Sequence, residues 1–108
     1  MKRSFMLSTA LVLNTFAASA EDIDLPFTVS EFTTELSSPW GLAFLPDGKS
    51  LVTQRSGELM LIAENGKKIG PVTGLPKVKA LGQGGMLGIA LHPDFAQTQQ
   101  VYVCLNVE

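Results

Sequence analysis

Residues 41–47 read GLAFLPD and residues 88–94 read GIALHPD. Gly, an aliphatic residue, Ala, a bulky apolar residue, a variable position, Pro and Asp recur in the same order 47 residues apart. Each copy is followed by a β-rich run, SLVTQR after the first and QVYVCLN after the second. A repeat of this period carrying several short strands per unit is the signature of a β-propeller blade. Gly and Ala suit an innermost strand, where blades crowd toward the axis. Pro-Asp suits the turn that leaves it.

Between the copies the chain alternates short apolar runs with turn residues. WGLAFL ends at Pro46-Asp47-Gly48, KSLVTQR at Ser56-Gly57, and ELMLIA at Asn65-Gly66. KKIGPV closes the set before Gly74-Leu75-Pro76. Asn-Gly is a strong hairpin signal, because both residues tolerate positive φ. Residues 40–73 therefore read as a four-stranded antiparallel meander, the first blade. A second blade begins near Leu87. Upstream, FTVSEFTTEL (residues 27–36) carries β-branched and aromatic residues in partial alternation and is predicted to be a strand. No stretch keeps a helical period for ten residues, and Pro and Gly recur too often for one. The fold class is all-β.

The N-terminus has a different character. Lys2 and Arg3 precede a largely apolar stretch, Phe5 to Ala18, and Ala18-Ser19-Ala20 has the small-x-small form of a signal peptidase site. This three-part arrangement predicts a secretory signal peptide over residues 1–20, cleaved after Ala20. The apolar run is shorter than the ~20 residues that span a bilayer. Residues 21–39 then form a lead-in and its strand, and residues 40–108 the propeller part. Cleavage leaves 6 basic and 10 acidic side chains, a formal charge of −4. That balance argues against a nucleic-acid partner, which calls for a basic patch. It also gives no polybasic membrane footprint. No segment after the signal is apolar enough to span, so an exported, periplasmic or secreted protein is expected.

Candidate chemistry is sparse. The single cysteine, Cys104, lies in VYVCLNV and reads as a buried, inert thiol without a disulfide partner. The single histidine, His92, aligns with Leu45 of the first repeat, which marks it as structural rather than catalytic. Zinc spacings and a G-x-S-x-G elbow are missing. What stands out is GQGGMLG, residues 82–88, four glycines around one glutamine. It fails the G-x-G-x-x-G pattern, because Leu87 stands where the last glycine belongs, and no Gly-Lys-Ser/Thr follows. Two readings remain. The glycines serve a tight blade connector with Gln83 merely solvated, or they let a flat ligand approach the backbone. In the second reading the Gln83 amide offers both a donor and an acceptor to carbonyl and carboxylate oxygens.

Taken together, PWGLAFLPDGKSLVTQRSGEL, GLPKV and GQGGMLGIALHPDFAQTQQVYV resemble the N-terminal part of the soluble, exported aldose sugar dehydrogenases that use pyrroloquinoline quinone (PQQ), the glucose/sorbosone dehydrogenase family. The resemblance runs through nearly all of residues 39–103. It implies a six-bladed propeller with PQQ in the mouth of its channel. An aldose would be oxidised at its anomeric carbon to a lactone, with a histidine as base and calcium holding the quinone. An external acceptor would take the electrons. FTTEL sits where the family has a strand completing the last blade. Gln83 matches the family's cofactor-contacting glutamine. The resemblance places the catalytic histidine, the calcium ligands and the basic residues for the cofactor's carboxylates in later blades, so no catalytic or metal-binding residue is expected within these 108 residues. His92 matches the family's structural HPDF turn. About one and a half blades are expected here, inactive and aggregation-prone alone. The alternatives are a non-catalytic exported propeller that binds rather than oxidises, and a short β-rich adhesion protein in which the repeat is fortuitous.

Overall fold

The computed structural model describes residues 24–108; the predicted signal peptide and its cleavage site lie outside them. The described chain folds into two antiparallel sheets packed face to face. β1 (Pro39–Phe44), β2 (Ser50–Gln54), β3 (Leu59–Ile62) and β4 (Lys68–Pro71) make a meander in the order β1-β2-β3-β4. β5 (Met86–Leu91) pairs with β6 (Val101–Leu105), joined through the single helical turn α1 (Phe95–Thr98). The repeat read from the sequence is a structural repeat. Each heptapeptide supplies the first strand of its sheet, and the two strands, β1 and β5, lie against each other.

The three hairpins of the meander share one construction. In each, the amide of a glycine donates to the carbonyl three residues back: Gly48 to Leu45 (3.1 Å), Gly57 to Gln54 (2.9 Å) and Gly66 to Ala63 (2.9 Å). The glycine itself takes positive φ, +87°, +119° and +84° respectively. This is the three-residue hairpin loop, a tight turn followed by a left-handed residue, which glycine occupies without steric cost. Asn65 keeps negative φ, so Asn65-Gly66 marks the turn as expected but by this geometry rather than by two left-handed residues.

Alternation along β1 sorts its side chains. Gly41, Ala43 and Leu45 face β5, while Trp40, Leu42 and Phe44 face outward and are exposed. β2 is buried along its whole length. Its Leu51 joins Leu59 and Met86 in the core, and Ile89, Leu91, Val101, Val103 and Leu105 of the second sheet pack around them. The other face of β5–β6, with Gly88, Ala90, Tyr102 and Cys104, is bare. Cys104 is therefore exposed rather than buried. Its strand does alternate, but Cys104 falls on the face that has no packing partner among the described residues.

One polar side chain bridges the inner strands of the two sheets. Thr53, fully buried in β2, accepts the Gly41 N–H of β1 at 2.9 Å and donates to the Leu87 carbonyl of β5 at 2.5 Å. Gly41 is bare for this reason. A Cβ there would lie 3.0 Å from the Leu87 carbonyl oxygen and 3.1 Å from Thr53 Oγ1.

Residues 27–36 form no strand within the described chain. They run across the outer face of the meander instead. Glu35 pairs with Lys68 at 3.1 Å, and the Ser37 amide donates to Gln54 Oε1. The Phe32 carbonyl lies so close to Gly66 that any side chain there would collide with it. Phe32 and Leu36 with Trp40, Leu42, Val52 and Ile62 line an apolar groove of about 210 Å³. Residues 27–36 cover part of the meander's outer face and pair with none of its strands, although the outer edge of β4 is open.

Candidate functional site

The glycine-rich segment connects β4 to β5 and makes a turn at residues 81–84. The Gly84 amide donates to the Leu81 carbonyl at 2.9 Å, with Gly82 at φ +58°. Gln83 is at the tip of this turn. Its side chain is exposed and makes no hydrogen bond among the described residues. The amide's donors and acceptor are thus free to meet a ligand.

Why the backbone is bare here has a structural answer. Two side chains from neighbouring elements use the space. Arg55, just beyond β2, reaches under the turn: its Nε donates to the Gly84 carbonyl at 3.1 Å and its Nη2 donates to the Gly82 carbonyl. Its own carbonyl accepts the Met86 amide at 3.1 Å, and its amide donates to the Ser38 carbonyl at 3.1 Å. From the other side comes Asn106, just past β6. Its Oδ1 accepts the Gly85 amide at 3.1 Å, and its own amide donates to the Gly85 carbonyl at 3.1 Å. Gly85 has φ +151°, and a Cβ there would collide with the Arg55 carbonyl. A Cβ at Gly84 would stand 2.8 Å from Asn106 Oδ1. Gly82 has open space beside it. The tight-connector reading therefore accounts for Gly84 and Gly85, and the close-approach reading stays available at Gly82 and Gln83.

The other sequence candidates lie elsewhere. His92 follows β5, and its Nδ1 accepts the Asp94 amide at 3.0 Å. Its ring stacks on Tyr102 at 6.2 Å between centroids. The His92 amide donates to the Gln100 carbonyl at 3.0 Å, just as the Leu45 amide donates to the Lys49 carbonyl at 2.8 Å. Repeat equivalence thus extends to the hydrogen bonds, and His92 serves the turn. Asp47 in the first copy accepts from the Lys49 amide at 3.1 Å and pairs with its ammonium at 2.6 Å. The Lys49 side-chain bond, and then its backbone bond, hold the Asp47 carboxyl below its ordinary 3.8. Among the described residues no three His, Cys, Asp or Glu side chains gather as metal ligands. No helix among them is long and apolar enough to cross a membrane.

Arg55 and Asn106 were not singled out by sequence reading. Arg55 looks like ordinary turn polarity in QRSG, and Asn106 like a strand end. The available signal was indirect: adjacent glycines that lie beyond the turn proper imply backbone approached from both sides.

The model of the glucose/sorbosone dehydrogenase family matches residues 36–108. The chain belongs to this family. Over 70 residues it is 44% identical to aldose sugar dehydrogenase YliI of Escherichia coli (strain K12), covering 64% of this chain and 19% of that protein. It is 29% identical over 113 residues to quinoprotein glucose dehydrogenase B of Acinetobacter calcoaceticus, covering 90% of this chain and 23% of the relative. The PQQ-bound form of an aldose sugar dehydrogenase from Streptomyces coelicolor superposes with a TM-score of 0.66 at 40% identity, over 73% of this chain and 24% of that one. The chain thus spans about a fifth to a quarter of the length of these relatives. Its two sheets are one propeller blade and the first strands of the next.

Proposed function

We propose that these residues form part of the rim of a quinoprotein dehydrogenase that oxidises aldose sugars at the anomeric carbon to lactones, within a six-bladed ring. Gln83 is its contact to PQQ. The observation that carries this reading is the Gln83 turn, whose backbone is fixed from both sides while the side-chain amide is left unspent at an exposed tip. The described residues fit one edge of a planar, oxygen-rich ligand: an amide with donor and acceptor at Gln83, beside open space at Gly82. When bound, PQQ would supply the acceptor for the hydride that leaves the anomeric carbon and carries both electrons. The part of Gln83 is to bind and orient, which matters because small misplacements of a reacting pair are costly. The histidine base, calcium and the groups for the cofactor's carboxylates belong, in this reading, to other blades. The protein is exported after loss of residues 1–20, and residues 21–108 alone are inactive.

The test is aldose oxidation by the whole polypeptide bearing these residues, with PQQ, calcium and a dye acceptor. Turnover is expected, and Gln83→Ala should weaken PQQ binding about tenfold, the scale of a hydrogen bond lost to a polar ligand. PQQ-independent sugar binding without turnover would instead establish a non-catalytic binding propeller.

A further inference from the structure

We infer that Arg55 is a positioning residue that holds Gln83 in place for its ligand, an inference that rests on the reading of Gln83 as a PQQ contact. One guanidinium donates to the carbonyls of Gly82 and Gly84, the two residues that flank Gln83. The same residue's carbonyl takes the Met86 amide, so both ends of the GQGGM run are tied to Arg55. Arg55 is in turn fixed by the meander, because its amide donates to the Ser38 carbonyl at the foot of β1. The chain of connection thus runs from the first blade, through Arg55, to the connector entering the second. Asn106 closes the far side of Gly85 only and does not reach the carbonyls beside Gln83.

Arginine is suited to this by its shape. Its planar fork carries several donors in fixed directions, so two carbonyls can be bridged by one rigid group. Lysine has three donors on one nitrogen at the end of a flexible stem, so it holds two separated carbonyls less rigidly. No carboxylate pairs with Arg55 within the described residues; its hydrogen bonds go to backbone oxygens of this turn. Holding the backbone rather than the amide leaves every polar atom of Gln83 for the ligand. A site works best when its contact residue is fixed by such supporting bonds before the ligand arrives.

The experiment uses the whole polypeptide bearing these residues, with Arg55→Lys, Arg55→Met, Gln83→Ala and the Arg55→Lys/Gln83→Ala double variant. Amide hydrogen exchange is followed without PQQ, and PQQ affinity by its absorbance change on binding. Arg55→Lys is expected to speed exchange at Gly84 and Met86 about tenfold, the scale of one charge-assisted hydrogen bond, while Val52 and Leu61 in the meander stay protected. It should weaken PQQ binding about tenfold in the wild-type background and have no further effect once Gln83 is alanine, since contacts acting through one residue are not additive. Arg55→Met should match Arg55→Lys if the fork, not the charge, is what counts. Unchanged exchange at Gly84 and Met86 would overturn the inference. So would an equal loss of PQQ affinity with and without Gln83, or faster exchange spread evenly over the meander. If Gln83→Ala alone leaves PQQ affinity untouched, the ligand reading of Gln83 fails, and the exchange data still decide whether Arg55 holds the turn.

Discussion

A methyl group added at Gly85 has nowhere to go. The backbone there stands at φ +151°, and the new carbon would collide with the Arg55 carbonyl and lie 2.6 Å from Arg55 Cγ. Both atoms belong to the residue that ties the turn down, so relief requires undoing that tie. Gly85→Ala is therefore expected to destabilise the fold by about 2–4 kcal/mol, through strain at a special φ together with the lost Arg55–Met86 bond. Chemical denaturation of the whole polypeptide measures it. Gly82→Ala meets open space, but φ +58° limits it to the milder cost of a left-handed alanine, about 1 kcal/mol. At Asp47 the effect is electrostatic. Its depressed carboxyl pKa means that its contribution is present above the unfolded value near 3.8 and is lost as pH falls through the lower folded value. An NMR titration of the native protein should place the Asp47 midpoint below 3.8, and Lys49→Met should move it back up. The pair is exposed, so added salt should narrow the difference.

At the scale of elements, one hydroxyl bridges the two inner strands at the joint between blades. Thr53 satisfies Gly41 of β1 and Leu87 of β5 together. Thr53→Val keeps the volume and leaves both backbone groups short of a partner, at an expected cost of about 1–3 kcal/mol, whereas Thr53→Ser should recover most of it. Urea unfolding of the three proteins separates these outcomes. Such a joint was not legible in the sequence, where Thr53 is one β-branched residue in a strand. The strands themselves were legible, because Pro-Asp-Gly, Ser-Gly and Asn-Gly punctuate apolar runs at fixed spacing and the heptapeptide repeat fixes which strands are equivalent. Residues 27–36 pair with no described strand, and the partner expected for them, the last blade of the ring, is not among these residues. Composition reports fitness for a pleated, half-buried surface, not the presence of a partner strand. The candidate site was half legible. The glycines pointed to Gln83, but the side chains that hold the segment come from just beyond β2 and β6, 27 residues from Gly82 and 21 from Gly85, and no local pattern links them.

At the scale of the whole molecule, alternation has placed apolar side chains on faces that nothing among the described residues covers. Leu42, Phe44 and Trp40 are 53%, 70% and 62% exposed on one side of the meander, although the lead-in crosses part of that face. On the far side of the second sheet, Tyr102 is 57% exposed beside Ala90 and Cys104. A propeller blade is stabilised by burying both faces against neighbours, and apolar burial contributes about 25 cal/mol per Å². A polypeptide limited to residues 21–108 therefore lacks much of the stabilisation its sequence is patterned for, and its bare strands invite association. It is expected to elute as oligomers or aggregates in size-exclusion chromatography with light scattering. Cys104 gives a sharper readout of the same argument. In the short polypeptide a thiol reagent should modify it about as fast as in urea, because its face is open. In a polypeptide long enough to complete the ring, the next blade would cover that face and the native thiol should resist modification. Equal reactivity of Cys104 in the short and the long form, with both folded, would show that the β5–β6 face is not a blade interface.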